Sequence, residues 1–184
     1  MQTGFGPFVS VFLTTQKWTQ IDIGLVLSAA GFVSLIAQMP GGALVDAARS
    51  ERLVAGLAVG AICLSALAYA ALPIFPMVLS AAIIHSLASC VLNPAIAAIS
   101  LGLVGHAAIS TRLGRNARFA SIGNGLAAAA MAIVGYFSPR GVFIVTVCLL
   151  IPAIVALRAI VAGEIDPERV LADRIERRIA DARR

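Results

Sequence analysis

Long apolar runs separated by short polar gaps dominate this sequence. A helix needs about 20 residues to cross the hydrocarbon core of a bilayer, which is roughly 30 Å thick. The runs that reach this length are residues 23–45, 53–72, 77–104, 119–137 and 142–162. A further run, residues 5–14, has about half the required length. It therefore either lies in the membrane interface or is the remainder of a first helix that has lost its start.

The composition indicates that these apolar runs lie in a lipid bilayer. Hydrophobic residues make up 60% of the chain and charged residues only 12%, against about 25% in soluble domains, so a soluble core could not bury this apolar surface. Backbone groups in lipid must pair within helices or closed barrels, and the runs are too continuously apolar for barrel strands. We predict an all-α membrane protein, a polytopic helical bundle over residues 1–162. Soluble enzyme folds are excluded.

The positions of the basic residues follow the same division into apolar runs and polar gaps. A net charge of +5 would suggest nucleic-acid binding in a soluble protein. Here the basic residues lie in the gaps between apolar runs and in the terminal segment, without an aromatic platform on which bases could stack. We interpret them as topology signals and contacts to lipid head groups, so the expected partner is the lipid bilayer and not nucleic acid.

The distribution of lysine and arginine predicts an orientation. If the gap after Val45 is cytoplasmic, only Lys17 and Arg140 of the 14 basic residues lie on the outer side. The inner side carries Arg49, Arg52, Arg112, Arg115, Arg118, Arg158 and the arginines of the tail. Because cytoplasmic loops are enriched in lysine and arginine, we predict a multi-pass protein of the cell (inner) membrane with a cytoplasmic C-terminus.

Residues 163–184 have a different composition from the apolar runs. Asp166 followed by Pro167 is a typical helix start, and Leu171, Ile175 and Ile179 then share one face among arginines. This pattern predicts a cytoplasmic basic amphipathic tail or linker. It fits a helix lying on anionic lipid, and a solvated linker remains the alternative.

The sequence shows no pattern for metal or catalytic chemistry. Cys63, Cys90 and Cys148 each lie alone in an apolar run, without a CxxC motif or a histidine at ligand spacing. A Ser/His pair, paired aspartates or a histidine-rich motif at catalytic spacing is also missing from the sequence. We expect no cofactor, no metal and no enzymatic activity.

A short motif marks the end of the 23–45 run. Gly42, Leu44 and Asp46 follow the spacing Gly-x-Leu-x-Asp, and a short basic loop containing Arg49 and Arg52 comes next. This motif resembles the signature between the second and third helices of the major facilitator superfamily (MFS). The loop lacks the glycine of the family's pattern and has fewer basic residues.

Other segments resemble the same family. Gly6-Pro7-Phe8 is similar to the second half of the first helix, and residues 85–94 are similar to the fourth helix. A basic segment resembles the start of the fifth helix in one bacterial branch of permeases. We expect its residues to lie in a cytoplasmic loop: Arg112, Arg115, Asn116 and Arg118.

The resemblance implies a specific function. It identifies the chain with the N-terminal six-helix half of a secondary active transporter, which moves a small solute by alternating access. Family members have two halves with the substrate site between them near the bilayer midplane. The chain would therefore lack its C-terminal half, and it would need a second transporter half or self-association to act.

Polar residues inside the runs are the candidates for a substrate or proton pathway. His85 suits a proton-coupled step, because histidine is the side chain whose charge changes near neutral pH. The amides of Gln38, Asn93 and Asn124 could hydrogen-bond a substrate. The alternative for all four is that they only join helices by hydrogen bonds.

A different class of function is also compatible with the sequence. The chain could be a membrane-embedded interaction protein, or a truncated remnant that does not transport. Upstream sequence that completes the first helix, or a neighbouring reading frame that encodes a second half, would favour the transporter.

Overall fold

A computed structural model of the chain describes residues 6–48 and 50–160. These residues form helices and no strand. The helices are α1 (Gly6–Thr15), α2 (Gln20–Ala47), α3 (Glu51–Ala71), α4 (Phe75–Phe137) and α5 (Gly141–Ala159). By length and composition, α2 to α5 can each cross a membrane. The predicted all-α membrane bundle is confirmed.

Short polar caps begin α2 and α3. Thr19 Oγ1 accepts a hydrogen bond from the backbone N–H of Asp22 at 3.1 Å, and Ser50 Oγ accepts one from the backbone N–H of Leu53 at 3.3 Å. Each cap satisfies an N–H group that the first helical turn leaves unpaired. The connections between successive helices are only a few residues long, so neighbouring helices run antiparallel.

The longest helix, α4, is divided by a break. Its 63 residues would extend about 95 Å as one straight helix, about three times the thickness of the hydrocarbon core. The backbone leaves the helical region at Gly105, where φ is 70° and ψ is 177°, a conformation that is essentially restricted to glycine. The break separates an N-terminal segment (75–104) from a C-terminal segment (106–137). Met131 joins the same core cluster as Val78, so the C-terminal segment runs back along the N-terminal one.

The prediction of a loop at residues 112–118 was wrong about the local structure, which is helical. Its residues lie in the helical C-terminal segment of α4: Arg112, Arg115, Asn116 and Arg118. The chain reverses at Gly105 instead, because this glycine supplies the positive φ that the turn needs while residues 106–118 contain no proline to stop a helix. Beside the turn, Asn116 Nδ2 donates a hydrogen bond to Ser100 Oγ at 3.0 Å and joins the two segments.

Two clusters of buried side chains hold the helices together. In the larger one, the rings of Phe12 and Tyr69 pack on Phe143 at centroid distances of 4.9 Å and 5.3 Å. Phe12 and Leu13 are only 1% and 0% exposed, so α1 packs into the bundle. The smaller cluster lies beside the turn between α2 and α3 and comprises Val45, Ala55, Ala95 and Ile99.

The outer surface of the bundle is apolar. Met39, Leu126 and Tyr136 are examples of large side chains that are mostly exposed. A continuous apolar surface of this kind is a liability in water but matches lipid or another helical body. The exposed apolar surface therefore agrees with the high hydrophobic content of the sequence.

Candidate functional site

Small residues allow α2 and the N-terminal segment of α4 to approach closely. Ser34 Oγ lies 3.5 Å from Cys90 Sγ, and the Cys90 thiol donates to the Ser34 carbonyl at 3.4 Å. A Cβ atom on Gly41 would lie 3.1 Å from the carbonyl oxygen of Cys90. Close backbone approach of this kind is a common way for membrane helices to associate. The contact fixes the relative depth of the two helices.

Two of the predicted pathway residues flank this contact. Gln38 lies one turn beyond Ser34 on α2, and Asn93 lies just under one turn beyond Cys90 on α4. The structure therefore brings the two amides to a similar depth. Both side chains are exposed, and neither hydrogen-bonds another residue within 6–48 or 50–160. They differ in this respect from polar groups that only join helices.

His85 lies between α3 and α4. Its Nδ1 atom is 3.4 Å from Ser65 Oγ, and the Ser65 hydroxyl donates to the carbonyl of Ile62 at 2.8 Å. Because the Ser65 hydroxyl donates to Ile62, its oxygen is left to accept from His85, and this bond requires a proton on Nδ1. Ser65 is fully buried and His85 is half-buried. The histidine is thus held in one orientation at a helix contact.

A third polar group extends this contact along α4. Ser89 lies four residues after His85, so the two side chains share a face of the helix. Ser89 Oγ is buried and has no hydrogen-bond partner among the described residues. Buried hydroxyl groups are normally paired, so an unpaired one calls for an explanation. We refer to Ser65, His85 and Ser89 as the α3–α4 polar strip.

Neither serine of the polar strip was predicted from the sequence. The spacing of four between His85 and Ser89 was a signal that they share a helix face. Ser65 gave no such signal, because its role depends on which face of α3 meets α4. Spacing along one helix can be read from sequence, but pairing between helices cannot.

Asn124 lies apart from these contacts, in the C-terminal segment of α4. Its side chain is exposed and makes no hydrogen bond with the described residues. Cβ atoms built on the adjacent Gly123 and Gly125 would meet no atom within 4 Å. This part of α4 therefore presents an open helix face. The structure does not bring Asn124 into contact with the polar strip.

The Gly-x-Leu-x-Asp motif lies at the C-terminal end of α2. Gly42 is half-buried, while Leu44 and Asp46 are exposed. Val45, between them, is 1% exposed and anchors this end of α2 in the smaller core cluster. The motif residues therefore lie at or near the surface, while Val45 between them packs in the core. Arg49 lies outside the described residues.

Arg52, the second arginine of the motif loop, reaches across to α5. Its Nη2 atom donates to the backbone carbonyl of Arg158 at 3.5 Å, a long hydrogen bond. A cation at the C-terminal end of a helix interacts favourably with the exposed carbonyl groups and the helix dipole. The bond joins the start of α3 to the end of α5. This contact was not expected from the motif.

Comparison with known proteins decides the family. The sequence profile of the Major Facilitator Superfamily matches residues 1–179. The chain belongs to this superfamily. An uncharacterized MFS-type transporter of Mycobacterium tuberculosis strain CDC 1551 / Oshkosh is 34% identical over 171 residues, and one from strain ATCC 25618 / H37Rv is equally similar. No solved structure matches the chain significantly.

The alignment covers most of this chain but less than half of each relative. It includes 90% of this chain but only 40% of each relative, so the chain spans less than half the length of the curated relatives it matches. Membership in the MFS confirms the resemblance seen in Gly42, Leu44 and Asp46. Family membership and the helices of membrane length together show that the chain is a multi-pass membrane protein with the bilayer as its environment.

Proposed function

We propose that the chain forms the N-terminal six-helix half of a secondary active transporter, which moves a small solute by alternating access. The observation that carries this proposal is the MFS match over residues 1–179 together with coverage of only 40% of the relatives. In transporters built from two repeats, the substrate site lies between the halves near the midplane. A second half, or a second copy of the chain, would complete the site.

We assign the exposed amides to the substrate pathway. Gln38 and Asn93 lie at a similar depth beside the contact between α2 and α4, and Asn124 lies on an open face of α4. Hydrogen-bonding groups within membrane segments are costly and commonly mark a pathway. In the assembled transporter these three side chains would face the cavity and bind polar groups of the solute.

The α3–α4 polar strip supports proton coupling. His85 would change its protonation during the cycle, and Ser65 would hold the imidazole in position. The unpaired hydroxyl of Ser89 lies on the same face and would accept or donate a hydrogen bond when the strip opens to water or solute. The bond between His85 and Ser65 represents one state of this cycle.

Proteoliposomes with an imposed pH gradient test the two-half proposal. Uptake of a panel of labelled sugars, amino acids, organic anions and organic cations is measured for three preparations. These are the chain alone, the chain together with the remaining segment of the M. tuberculosis relative as a second polypeptide, and the full-length relative. We expect saturable uptake from the last two only. Saturable uptake by the chain alone would overturn the need for a second half.

Substitutions in the two-polypeptide preparation test the polar strip. His85→Gln is expected to remove the dependence of uptake on the pH gradient, and Ser89→Ala is expected to raise KM without reducing the amount of folded protein. Ser80→Ala is the matched control, because the Ser80 hydroxyl is exposed and its hydrogen bond among the described residues is to the Pro76 carbonyl of its own helix. Unchanged coupling in His85→Gln would exclude His85 from the proton pathway.

A further inference from the structure

A groove between the start of α3 and the end of α5 combines two cations with an apolar wall. It encloses about 650 Å³ and has Arg52 and Arg158 at its polar end. No aspartate or glutamate lines it in the part of the chain that the structure describes. Among the residues that the structure describes, two arginines thus line one groove that has no acidic side chain in its lining.

The guanidinium of Arg52 has few partners among the described residues. Its Nη2 atom makes the 3.5 Å bond to the carbonyl of Arg158, while its Nε atom is buried without a hydrogen-bond partner within the described residues. The Arg158 side chain is exposed and hydrogen-bonds no described residue. Arginine pairs have strong directional affinity for phosphate, because each guanidinium offers several donors in one plane.

The walls of the groove extend away from these cations in one direction. On α3, Leu53 and Leu57 line the groove, and their side chains are 62% and 66% exposed. On α5, Ile154 precedes Arg158 by one turn and lines the same groove. Both sets of apolar residues lie on the membrane side of the arginines, because α3 enters the bilayer at its start and α5 leaves it at its end.

We infer that this groove is a binding site for an anionic phospholipid. The phosphate lies between Arg52 and Arg158, and an acyl chain follows Leu53, Leu57 and Ile154. The order of charge and apolar surface matches a lipid molecule at the membrane surface and does not match a water-soluble anion. The site faces outward between α3 and α5, so it does not depend on the proposed solute pathway.

Native mass spectrometry of the purified full chain tests this site. Detergent-solubilised protein is exposed to phosphatidylglycerol or to phosphatidylcholine with the same acyl chains, and the fraction carrying one bound lipid is measured. We expect phosphatidylglycerol to be retained several-fold better. Each of Arg52→Gln and Arg158→Gln should weaken this retention about fivefold, the effect of one basic residue near an anionic surface. Equal retention of both lipids by the unaltered chain would overturn the inference.

Matched variants separate a defined site from general positive charge. Arg112→Gln removes one exposed arginine outside the groove and is expected to leave retention unchanged. Arg158→Lys keeps the charge but not the planar donors, so it should lose less retention than Arg158→Gln. Equal losses in Arg112→Gln and Arg158→Gln would overturn the site. Helicity measured by circular dichroism identifies a variant that has not folded, and Arg158→Lys then decides the test.

Competition identifies what occupies the groove. Excess inorganic phosphate should not displace bound phosphatidylglycerol, because it cannot use the leucine wall. Complete displacement by phosphate would show a site for a soluble anion and would overturn the lipid assignment. Loss of bound lipid on dimer formation would likewise replace the lipid with a second copy of the chain as the occupant.

Discussion

At the scale of single residues, adjacent glycines in α2 have different roles. A Cβ atom on Gly41 would lie 3.1 Å from the Cys90 carbonyl oxygen, whereas one on Gly42 would meet no atom within 4 Å. Gly41 therefore sets how closely α2 and α4 pack. Gly42, the member of the family motif, has no such packing role in this bundle. Its place in the motif needs another reason, such as a contact made in a different state or with a second half.

Replacing each glycine by valine tests this difference. Gly41→Val should destabilise the bundle by about 1–3 kcal/mol, because the added methyl groups force α2 away from α4. Gly42→Val has the same effect on helix propensity but meets open space, so it is the matched control. Thermal unfolding in detergent, followed by circular dichroism, gives the comparison. Equal losses in the two variants would contradict the assigned packing role.

Asp46 is a carboxylate near the C-terminal end of its own helix, where the helix dipole disfavours negative charge. We propose that it stays there because it holds the cytoplasmic ends of the helices together through nearby cations or helix N-termini. Asp46→Asn should then lower the unfolding temperature by a few degrees, a loss of about 1 kcal/mol, while Asp46→Glu retains the charge and most of the stability.

The same two variants separate this role from substrate binding. In the two-polypeptide uptake assay, Asp46→Asn should reduce the rate of uptake and leave KM nearly unchanged. A selective rise in KM would show that Asp46 binds the solute, and higher stability of Asp46→Asn would show that its charge is not compensated.

At the scale of helices, α4 depends on one residue to form two spans. Gly105 provides the positive φ at which the N-terminal segment ends, and the bond from Asn116 to Ser100 holds the C-terminal segment against it. Without this break, the hydrogen bonding of one continuous helix would be extended through the turn. The polypeptide then could not return through the membrane.

Gly105→Ala tests the importance of the break. Alanine at φ 70° and ψ 177° is strained by about 1–3 kcal/mol, so the variant should unfold at a lower temperature. Gly114→Ala is the control, because Gly114 lies in the helical C-terminal segment and a Cβ there would meet no atom within 4 Å. Unfolding curves in the same detergent measure both. A stability loss confined to Gly114→Ala would refute the assigned role of Gly105.

The helices illustrate what the sequence could and could not predict. The apolar runs indicated helices of membrane length, because hydrophobic content alone decides whether a segment can lie in lipid. The connection before residue 119 was misplaced, because four polar residues near 112–118 looked like a loop although three of them are arginines, which favour helices. The turn at Gly105 depends on a single backbone conformation, which leaves almost no trace in composition.

The candidate site was predictable to a different extent. His85 and the amides stood out because polar residues are rare within apolar runs. Their partners did not, since the bond between Ser65 and His85 and the one between Arg52 and Arg158 join residues distant in sequence. Such pairs depend on the rotation and depth of whole helices, and hydropathy contains neither.

At the scale of the whole molecule, the bundle has two unlike ends. At one end Lys17 is next to Trp18, whose Nε1 donates to the carbonyl of Pro73 at 3.1 Å and whose ring stacks on Phe75 at 5.9 Å. Tryptophan is enriched at membrane interfaces, so this end fits the head-group level. Arg140 precedes α5 at the same end. The opposite end contains Arg52 bonded to the end of α5.

This arrangement leads to a prediction of orientation. Because lysine and arginine concentrate on the cytoplasmic side, we expect Arg140 to face outward and Arg112 to face the cytoplasm. Arg140→Cys and Arg112→Cys form a matched pair, since both side chains are exposed, in a background with the three native cysteines replaced by alanine. A membrane-impermeant maleimide should label the first variant in intact bacteria and the second only after permeabilisation. The reverse labelling pattern would invert the topology and place the proposed lipid groove in the outer leaflet.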